Sequence, residues 1–480
     1  MFKKNIYYLL SSIVSGISGF FLISLITKNF LPGDFGLYSL VTTSLSLSTT
    51  VLITWISQSL IRYYEHYKII NQEKEILNTT LVLTFFINLV LILIGLLTYL
   101  IIYRFLSVNI SSVIIYTFLL FIPESIYIII NALIRAKDNA FGYFLSVFSI
   151  SFLKILLTFI LILNGFKDIK LIILSIFFTT LFITLIMFFS NINIKDFQKK
   201  YFSMSIFNSF YKYGTPLIGL AAMQWVLASS DRFIIELFRS SYEVGIYSLS
   251  YSLSTNIFNI LITFLLLSSY PLIIKAMNKD GLKLASTVIS EHIRYYFILI
   301  IPVFTGIMAF SEDIILIISS EEYIDGKLTL EVTSIGMLIF GLTYYFNKAW
   351  ELTKDTRKIF WHATQAAILN IILNLILVPM GGYDGAAIAT LISYIYYFFI
   401  TIIKSKKLLK IKIDFLSLSK IVFSSIFMFM FIVTTKDLLD LNLINVCIIA
   451  LLASFVYLIS LFLLKEIKEE VIQITRKMKK

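Results

Sequence analysis

The sequence predicts an all-α integral membrane protein with about fourteen transmembrane helices, arranged as two parallel-repeat six-helix lobes plus a C-terminal helix pair. Three observations predict it: an apolar composition, a regular alternation of apolar runs with short charged segments, and a motif that recurs six spans after it first appears. Hydrophobic residues make up 59% of the 480 and charged residues 14%, with a mean hydropathy of +0.90. A soluble domain carries roughly 45–50% apolar residues. This chain is built for lipid.

Crossing the hydrocarbon core as a helix takes roughly 20 apolar residues. Such runs lie at 7–30, 37–60, 77–103, 111–134, 144–163 and 171–189. A second set follows at 214–238, 245–274, 295–318, 332–350, 364–380 and 385–403, and two more at 421–435 and 443–464. The first run follows Met1-Phe2-Lys3-Lys4, exceeds the length of a signal-peptide core, lacks a small-residue cleavage site and leads straight into further spans. It reads as a retained helix. The fourth contains Pro123, which opens the backbone ladder and predicts a kink. The expected organisation is therefore an N-terminal lobe at 1–212, a second lobe at 213–404, and two further spans with a cytoplasmic tail at 405–480.

Charge decides the orientation. Segments on the side of the termini hold 31 Lys and Arg, those on the opposite side hold 8, and Lys154, in the middle of the fifth span, completes the 40. This bias predicts that both termini are cytoplasmic. The formal charge of +12 is thus a topology signal, which excludes nucleic acid as a partner. The single cysteine, Cys447, forbids an intramolecular disulfide, and His66, His292 and His362 are too scattered for a metal site, so no metal or cofactor is expected. No Gly-x-x-x-x-Gly-Lys-Ser/Thr loop is present, so ATP is not expected as an energy source. The external segments, such as 31–36 and 381–384, are too short for the acidic catalytic domain of a membrane-embedded glycan polymerase or glycosyltransferase.

Phe35-Gly36-Leu37-Tyr38-Ser39-Leu40 at the start of the second span recurs as Val244-Gly245-Ile246-Tyr247-Ser248-Leu249 at the start of the eighth, an offset of 209. Lys137-Asp138 after the fourth span matches Lys354-Asp355 after the tenth, an offset of 217. Six spans separate the members of each pair, so the halves keep one orientation, as parallel repeats do.

These residues carry a family resemblance. Asp34-Phe35-Gly36-Leu37-Tyr38-Ser39, Asp231-Arg232, Val244-Gly245-Ile246-Tyr247-Ser248 and the segment Gly382-Tyr383-Asp384-Gly385-Ala386-Ala387 follow one another in the topological order of a known group. The chain resembles the polysaccharide and oligosaccharide-lipid flippases of the multidrug/oligosaccharidyl-lipid/polysaccharide exporter superfamily. The resemblance implies two six-helix lobes around a cavity, alternating access, and transport rather than catalysis. It implies a cargo of undecaprenyl-diphosphate-linked oligosaccharide, moved from the cytoplasmic to the outer leaflet of a prokaryotic cytoplasmic membrane for O-antigen of lipopolysaccharide, capsule or a related glycan. The expected partners are that cargo, membrane lipids, H+ or Na+, and glycan polymerase machinery. Cell-wall-precursor flippases of the superfamily carry an arginine in the first span. Leu22 and Ile23 stand at the positions offset by 209 from Asp231 and Arg232, which speaks against that cargo. The alternatives are an ion-coupled multidrug exporter of the same superfamily, and a membrane-embedded polymerase or glycosyltransferase.

A charge inside the bilayer costs at least about 2.5–3.5 kcal/mol, so each one is a candidate. Lys154 lies mid-span with Ser151 and Thr158 at helical spacing. It is a cation for the diphosphate or a structural partner of an acid such as Glu124. Glu124, next to Pro123, is a candidate for proton or sodium coupling. Asp231 is a second candidate for ion coupling, and Arg232 for phosphate, with Gln224 and Trp225 seven residues before them; mutual neutralisation, aided by Glu236, is the structural alternative. Arg62 and Lys28 bracket the first helix pair as headgroup contacts or topological anchors. Asn370 and Asn374 share one face of the eleventh span, for sugar hydroxyls or for interhelical hydrogen bonding.

Overall fold

The computed structural model describes residues 2–102, 108–193, 201–436 and 442–467. Arg104 and the basic residues of 194–200 and 468–480, all part of the charge count, lie outside the described residues, as does most of the expected cytoplasmic tail. Every described element is helical: α1 (Phe2–Asn29), α2 (Pro32–Leu52), α3 (Thr54–Ile69), α4 (Glu73–Ile102), α5 (Val108–Ala136), α6 (Ala140–Leu163), α7 (Ile169–Asn191), α8 (Met204–Ser229) and α9 (Asp231–Phe238). After them come α10 (Ser241–Ala309), α11 (Ser311–Ile318), a 3-10 turn at Glu321–Gly326, α12 (Lys327–Leu352), α13 (Arg357–Ser405), α14 (Phe415–Lys436) and α15 (Leu443–Leu463).

Local chemistry explains the boundaries. α2 opens on Pro32, whose fixed φ suits a first helical turn and whose missing N–H is no loss there. Asn139 caps α6 by accepting from Gly142 N at 2.9 Å, and Asp168 caps α7 by accepting from Lys170 N at 2.9 Å. α10 and α13 are 69 and 49 residues long, broken by non-helical backbone at Asp280 and Gly281 in one and at Gly382 in the other. Both glycines have positive φ, which other residues rarely adopt.

Eleven described helices are long and apolar enough to cross a membrane. Their apolar faces are turned outward. In α15, Ile449, Ala453, Tyr457 and Leu461 are buried at four-residue spacing, whereas Leu451, Phe455 and Ile459 are exposed. A continuous exposed apolar stripe is tolerable in lipid and not in water.

Three expectations need adjustment. The run at 37–60 breaks at Ile53, where α2 gives way to α3. The run at 214–238 breaks at Ser230, so Asp231 and Arg232 begin the short helix α9 instead of continuing α8. The basic segment 275–294 is helical apart from the break at 280–281, because α10 continues beyond its apolar part.

The chain forms two compact units, 1–248 and 249–480. In the first, α2 packs on the opening turns of α10, and the repeated motif meets its own copy. Ser39 Oγ donates to Ser248 Oγ at 2.7 Å. A Cβ on Gly36 would fall 1.8 Å from the Ser241 carbonyl oxygen, and one on Gly245 would fall 1.8 Å from that of Pro32. Pro32 and Ser241 also differ by 209, so the contact is symmetric residue by residue. The 217 offset behaves differently. The left-handed residues that end α5 and α12 are Asp138 and Lys354, with Asn139 N bonded to Ile134 O and Asp355 N to Trp350 O. These caps align at 216, one residue off the sequence match.

Candidate functional site

In the first unit, α1, α5 and α6 line an open cavity of 430 Å³ that carries charged and polar side chains. Each helix lines it with one stripe: Ser15, Ser18, Gly19 and Leu22 from α1, and Glu124, Tyr127, Ile128, Asn131 and Arg135 from α5. α6 adds Tyr143, Val147, Ile150, Ser151, Lys154 and Ile155. Spacings of three, four and seven put each set on one helical face.

The hairpin of α5 and α6 sets the register. Asn131 Oδ1 accepts from Ser146 Oγ at 2.6 Å, and with antiparallel helices this brings Glu124 level with Lys154 and Arg135 level with Tyr143. Pro123 removes one ladder donor from α5. Its neighbours hold the break: Thr184 Oγ1 donates to Pro123 O at 3.3 Å, and Asn88 Nδ2 donates to Ser125 Oγ at 2.8 Å.

Lys154 and Glu124 therefore share one cavity, as the sequence allows. Among the described residues no ion pair within 4.0 Å joins them. Ser151 lines the cavity beside Lys154, but Thr158 is fully buried elsewhere on α6. Arg135 is the residue that sequence reasoning passed over, having counted it only as a topology signal. Its guanidinium lies 5.4 Å from the centroid of the Tyr143 ring, and its Nε is buried without a hydrogen-bond partner. The available signal was its eleven-residue spacing from Glu124, three turns along the same face.

The other candidates lie apart from this cavity. Asp231 is 0% exposed and its carboxylate accepts from Tyr247 OH, from Arg232 N at 2.9 Å and from Arg232 Nη1 at 3.5 Å. Arg232 Nη1 also donates to Ala228 O, and Glu236 accepts from Ser241 Oγ at 2.7 Å. This is a locally neutralised cluster at the start of α9. Gln224 is exposed on α8, while Trp225 is half-buried and packs on Phe233. Lys28 is exposed at the end of α1. Arg62 is exposed on α3 with its guanidinium over the Tyr213 ring at 4.4 Å. In the second unit, Asn370 and Asn374 are 0% exposed. Asn374 Nδ2 donates to Asn370 O at 2.9 Å and Asn370 Nδ2 to Thr390 Oγ1 at 3.2 Å, tying the two halves of α13 together. Among the described residues no group of three or more His, Cys, Asp or Glu is placed to hold a metal ion.

A helical bundle with lipid-facing apolar stripes and a charged internal cavity is the architecture of a multi-pass membrane carrier. The chain belongs to the polysaccharide biosynthesis protein family, whose model matches residues 30–328. It is 25% identical over 166 residues to a probable low-salt glycan biosynthesis flippase of Haloferax volcanii, and the match spans only 34% of that relative's length and 34% of this chain. Its fold is that of the lipid II flippase MurJ in an inward closed conformation, with a TM-score of 0.73 at 18% identity over 95% of this chain and 98% of the other. An inward-facing multidrug resistance MATE family transporter shares it, with a TM-score of 0.64 at 14% identity over 83% and 94% of the two chains.

Proposed function

We propose that this protein is a flippase that carries a lipid-linked, diphosphate-bearing oligosaccharide across the membrane by alternating access, taking the anionic head in the α1–α5–α6 cavity. The observation that carries this reading is the pair of cations there. Lys154 and Arg135 line one polar cavity, and among the described residues neither has a carboxylate within 4.0 Å. Two cations against the single carboxyl of Glu124 leave the cavity lining with a net positive charge, which favours an anion. The volume falls in the range of about 300–1,000 Å³ typical of small-ligand sites. Ser15, Ser18, Tyr127, Asn131 and Ser151 would meet sugar hydroxyls.

In this reading the chain crosses the membrane fourteen times, counting α10 and α13 twice each and adding α8. It is divided as 1–212, 213–404 and 405–480, with both termini in the cytoplasm of a prokaryote. The product would pass to glycan polymerase machinery on the far side. The glycan-biosynthesis flippase of Haloferax volcanii and the lipid II flippase named above support such a cargo. With Leu22 lining the cavity, the cations come from α5 and α6 and not from the first span.

The test is a leaflet-accessibility assay for lipid-linked oligosaccharide in cells or vesicles. Lys154→Gln and Arg135→Gln should each reduce translocation about ten-fold or more, as expected for losing a charge-assisted hydrogen bond of about 1.5–3 kcal/mol. Unchanged translocation in both variants would refute the assignment. The multidrug-exporter reading is favoured by one feature, the acidic Glu124 in the same cavity. It requires that Glu124→Gln abolish resistance to cationic drugs and leave lipid-linked oligosaccharide flipping intact.

A further inference from the structure

A further cavity, of 200 Å³, lies where α4 begins and α5 and α7 end, on the side that is cytoplasmic in the orientation proposed above. Its polar lining is Glu73, Lys74 and Asn78 of α4, Lys137 just past α5, and Asn191 and Asn193 at the end of α7. On α4, Lys74, Asn78 and Leu81 follow one another at helical spacing, so one face of that helix supplies both a charge and an apolar floor. The α1–α5–α6 cavity shares none of these residues.

Two lysines against one carboxyl give the lining a formal charge of +1. The carboxyl is already engaged: Glu73 Oε1 accepts from Tyr64 OH at 2.5 Å and stands 4.0 Å from Lys137 Nζ. Lys74 Nζ lies 5.9 Å from the centroid of the Tyr201 ring. Glu75 and Asp138 follow the two lysines in sequence but do not line the cavity. The dipole of α4 favours an anion at this end and those of α5 and α7 oppose it, so the lysines decide the sign. The asparagines add amides that both donate and accept, and Asn78 among them is 2% exposed. A singly charged phosphate diester carrying hydroxyls matches this lining in charge and in hydrogen bonding. A zwitterionic head would bring a cation of its own against the lysines.

Depth decides where such a phosphate comes from. Phe189 of α7, 62% exposed, precedes Asn191 by two residues, about 3 Å along a helix. Ile186 of α7 and Phe85, Phe86 and Leu89 of α4 are exposed as well. Large apolar side chains exposed in this way belong against acyl chains, so the cavity stands at the level of the headgroups. Its volume is below the range of about 300–1,000 Å³ that drug-sized ligands fill, which suits a head whose chains lie outside. We infer that this cavity binds the phosphodiester head of an anionic phospholipid of the phosphatidylglycerol type, which bridges the converging ends of α4, α5 and α7. Basic pockets between transmembrane helices on the cytoplasmic side take anionic heads in this way. The inference does not depend on the cargo assigned to the other cavity.

The experiment is native mass spectrometry of purified full-length protein in detergent, with dioleoylphosphatidylglycerol or dioleoylphosphatidylcholine added at equal concentration. The wild type should retain phosphatidylglycerol about ten-fold more tightly, the scale of one charge-assisted hydrogen bond. Lys74→Gln with Lys137→Gln should abolish that preference; both side chains are exposed, so the change removes charge without disturbing the core. Lys68→Gln with Lys358→Gln removes the same charge from exposed positions outside the cavity and should keep the preference, as should Lys154→Gln. Equal retention of the two lipids by the wild type, or the same loss in the Lys68 and Lys358 pair, would overturn the site. Loss in Lys154→Gln would place the lipid in the α1–α5–α6 cavity instead. Inorganic phosphate in large excess should leave the lipid bound, and its displacing the lipid would assign the cavity to a free phosphate and overturn the lipid reading.

Discussion

Glu466 ties three elements of the second unit together through one carboxylate. Oε1 accepts from Arg294 Nε of α10 at 2.7 Å and from Ser417 Oγ of α14, and Oε2 lies 3.4 Å from Lys420 Nζ. The Glu466 carbonyl accepts from Arg294 Nη2. Burial pushes the Glu466 pKa up, but the bonds from Ser417 and Arg294 and the nearby cationic charge outweigh it and hold the group below its usual 4.5. A carboxyl depressed in the folded state contributes stability that is present above its unfolded pKa and lost as pH falls through the folded one. Glu466→Gln should therefore cost about 2–4 kcal/mol near neutral pH, because Arg294 and Lys420 lose their counter-charge. Melting curves taken down to about pH 3 should show the gap to wild type closing; a gap that stays constant with pH would mean that the contribution is packing. Nothing in the sequence singles out Glu466, since Arg294 and Ser417 lie 172 and 49 residues away. Glu124 and Lys154 were legible for the opposite reason: a charge inside an apolar run has few physical explanations. Arg135 escaped because it stands in the last turn of α5, where a basic residue reads as an anchor.

At the scale of elements, the repeat was readable only in part. The 209 offset is a physical contact, in which α2 and α10 approach so closely that each glycine lies against a carbonyl of the other helix. Small residues are what permit such an approach in a membrane. The 217 offset failed by one residue because the turns after α5 and α12 conserve the shape of a helix cap and not the order of side chains. Gly36→Ala and Gly245→Ala should each destabilise the protein by about 1–3 kcal/mol through overpacking, and by similar amounts, since the clashing distances are equal at 1.8 Å. Ser39→Ala removes one interhelical hydrogen bond and should cost about 0.6 kcal/mol. Thermal unfolding in one detergent checks all three; a neutral alanine at either glycine would show that the helices can separate without loss. The break at Ile53 was not legible, because the hydrophobic run continues across it while the backbone changes, whereas at Ser230 the polar sequence Ser229-Ser230-Asp231-Arg232 interrupts the run and marks the break.

For the whole molecule, the expected crossings come from hydropathy and the expected orientation from charge, and the two rest on different physics. The helical stretch of α10 before Asp280 is 39 residues, about 60 Å at 1.5 Å per residue. That is roughly twice the hydrocarbon thickness, which is why a segment read as a basic loop is helix. Orientation can be tested with the protein's own cysteine economy, since Cys447 is the only one and Cys447→Ser supplies a clean background. Lys137, Thr356, Lys167 and Glu322 are exposed, so single cysteines placed there should react with a maleimide wherever the reagent has access. With an impermeant maleimide on intact spheroplasts, Lys167→Cys and Glu322→Cys should label, whereas Lys137→Cys and Thr356→Cys should label only after permeabilisation. Reversal at all four sites would mean that the 31-to-8 charge bias points the other way, against the positive-inside rule. Labelling of Lys137→Cys and Thr356→Cys from opposite sides would require an odd number of crossings between them, and neither six intervening spans nor parallel repeats would survive it.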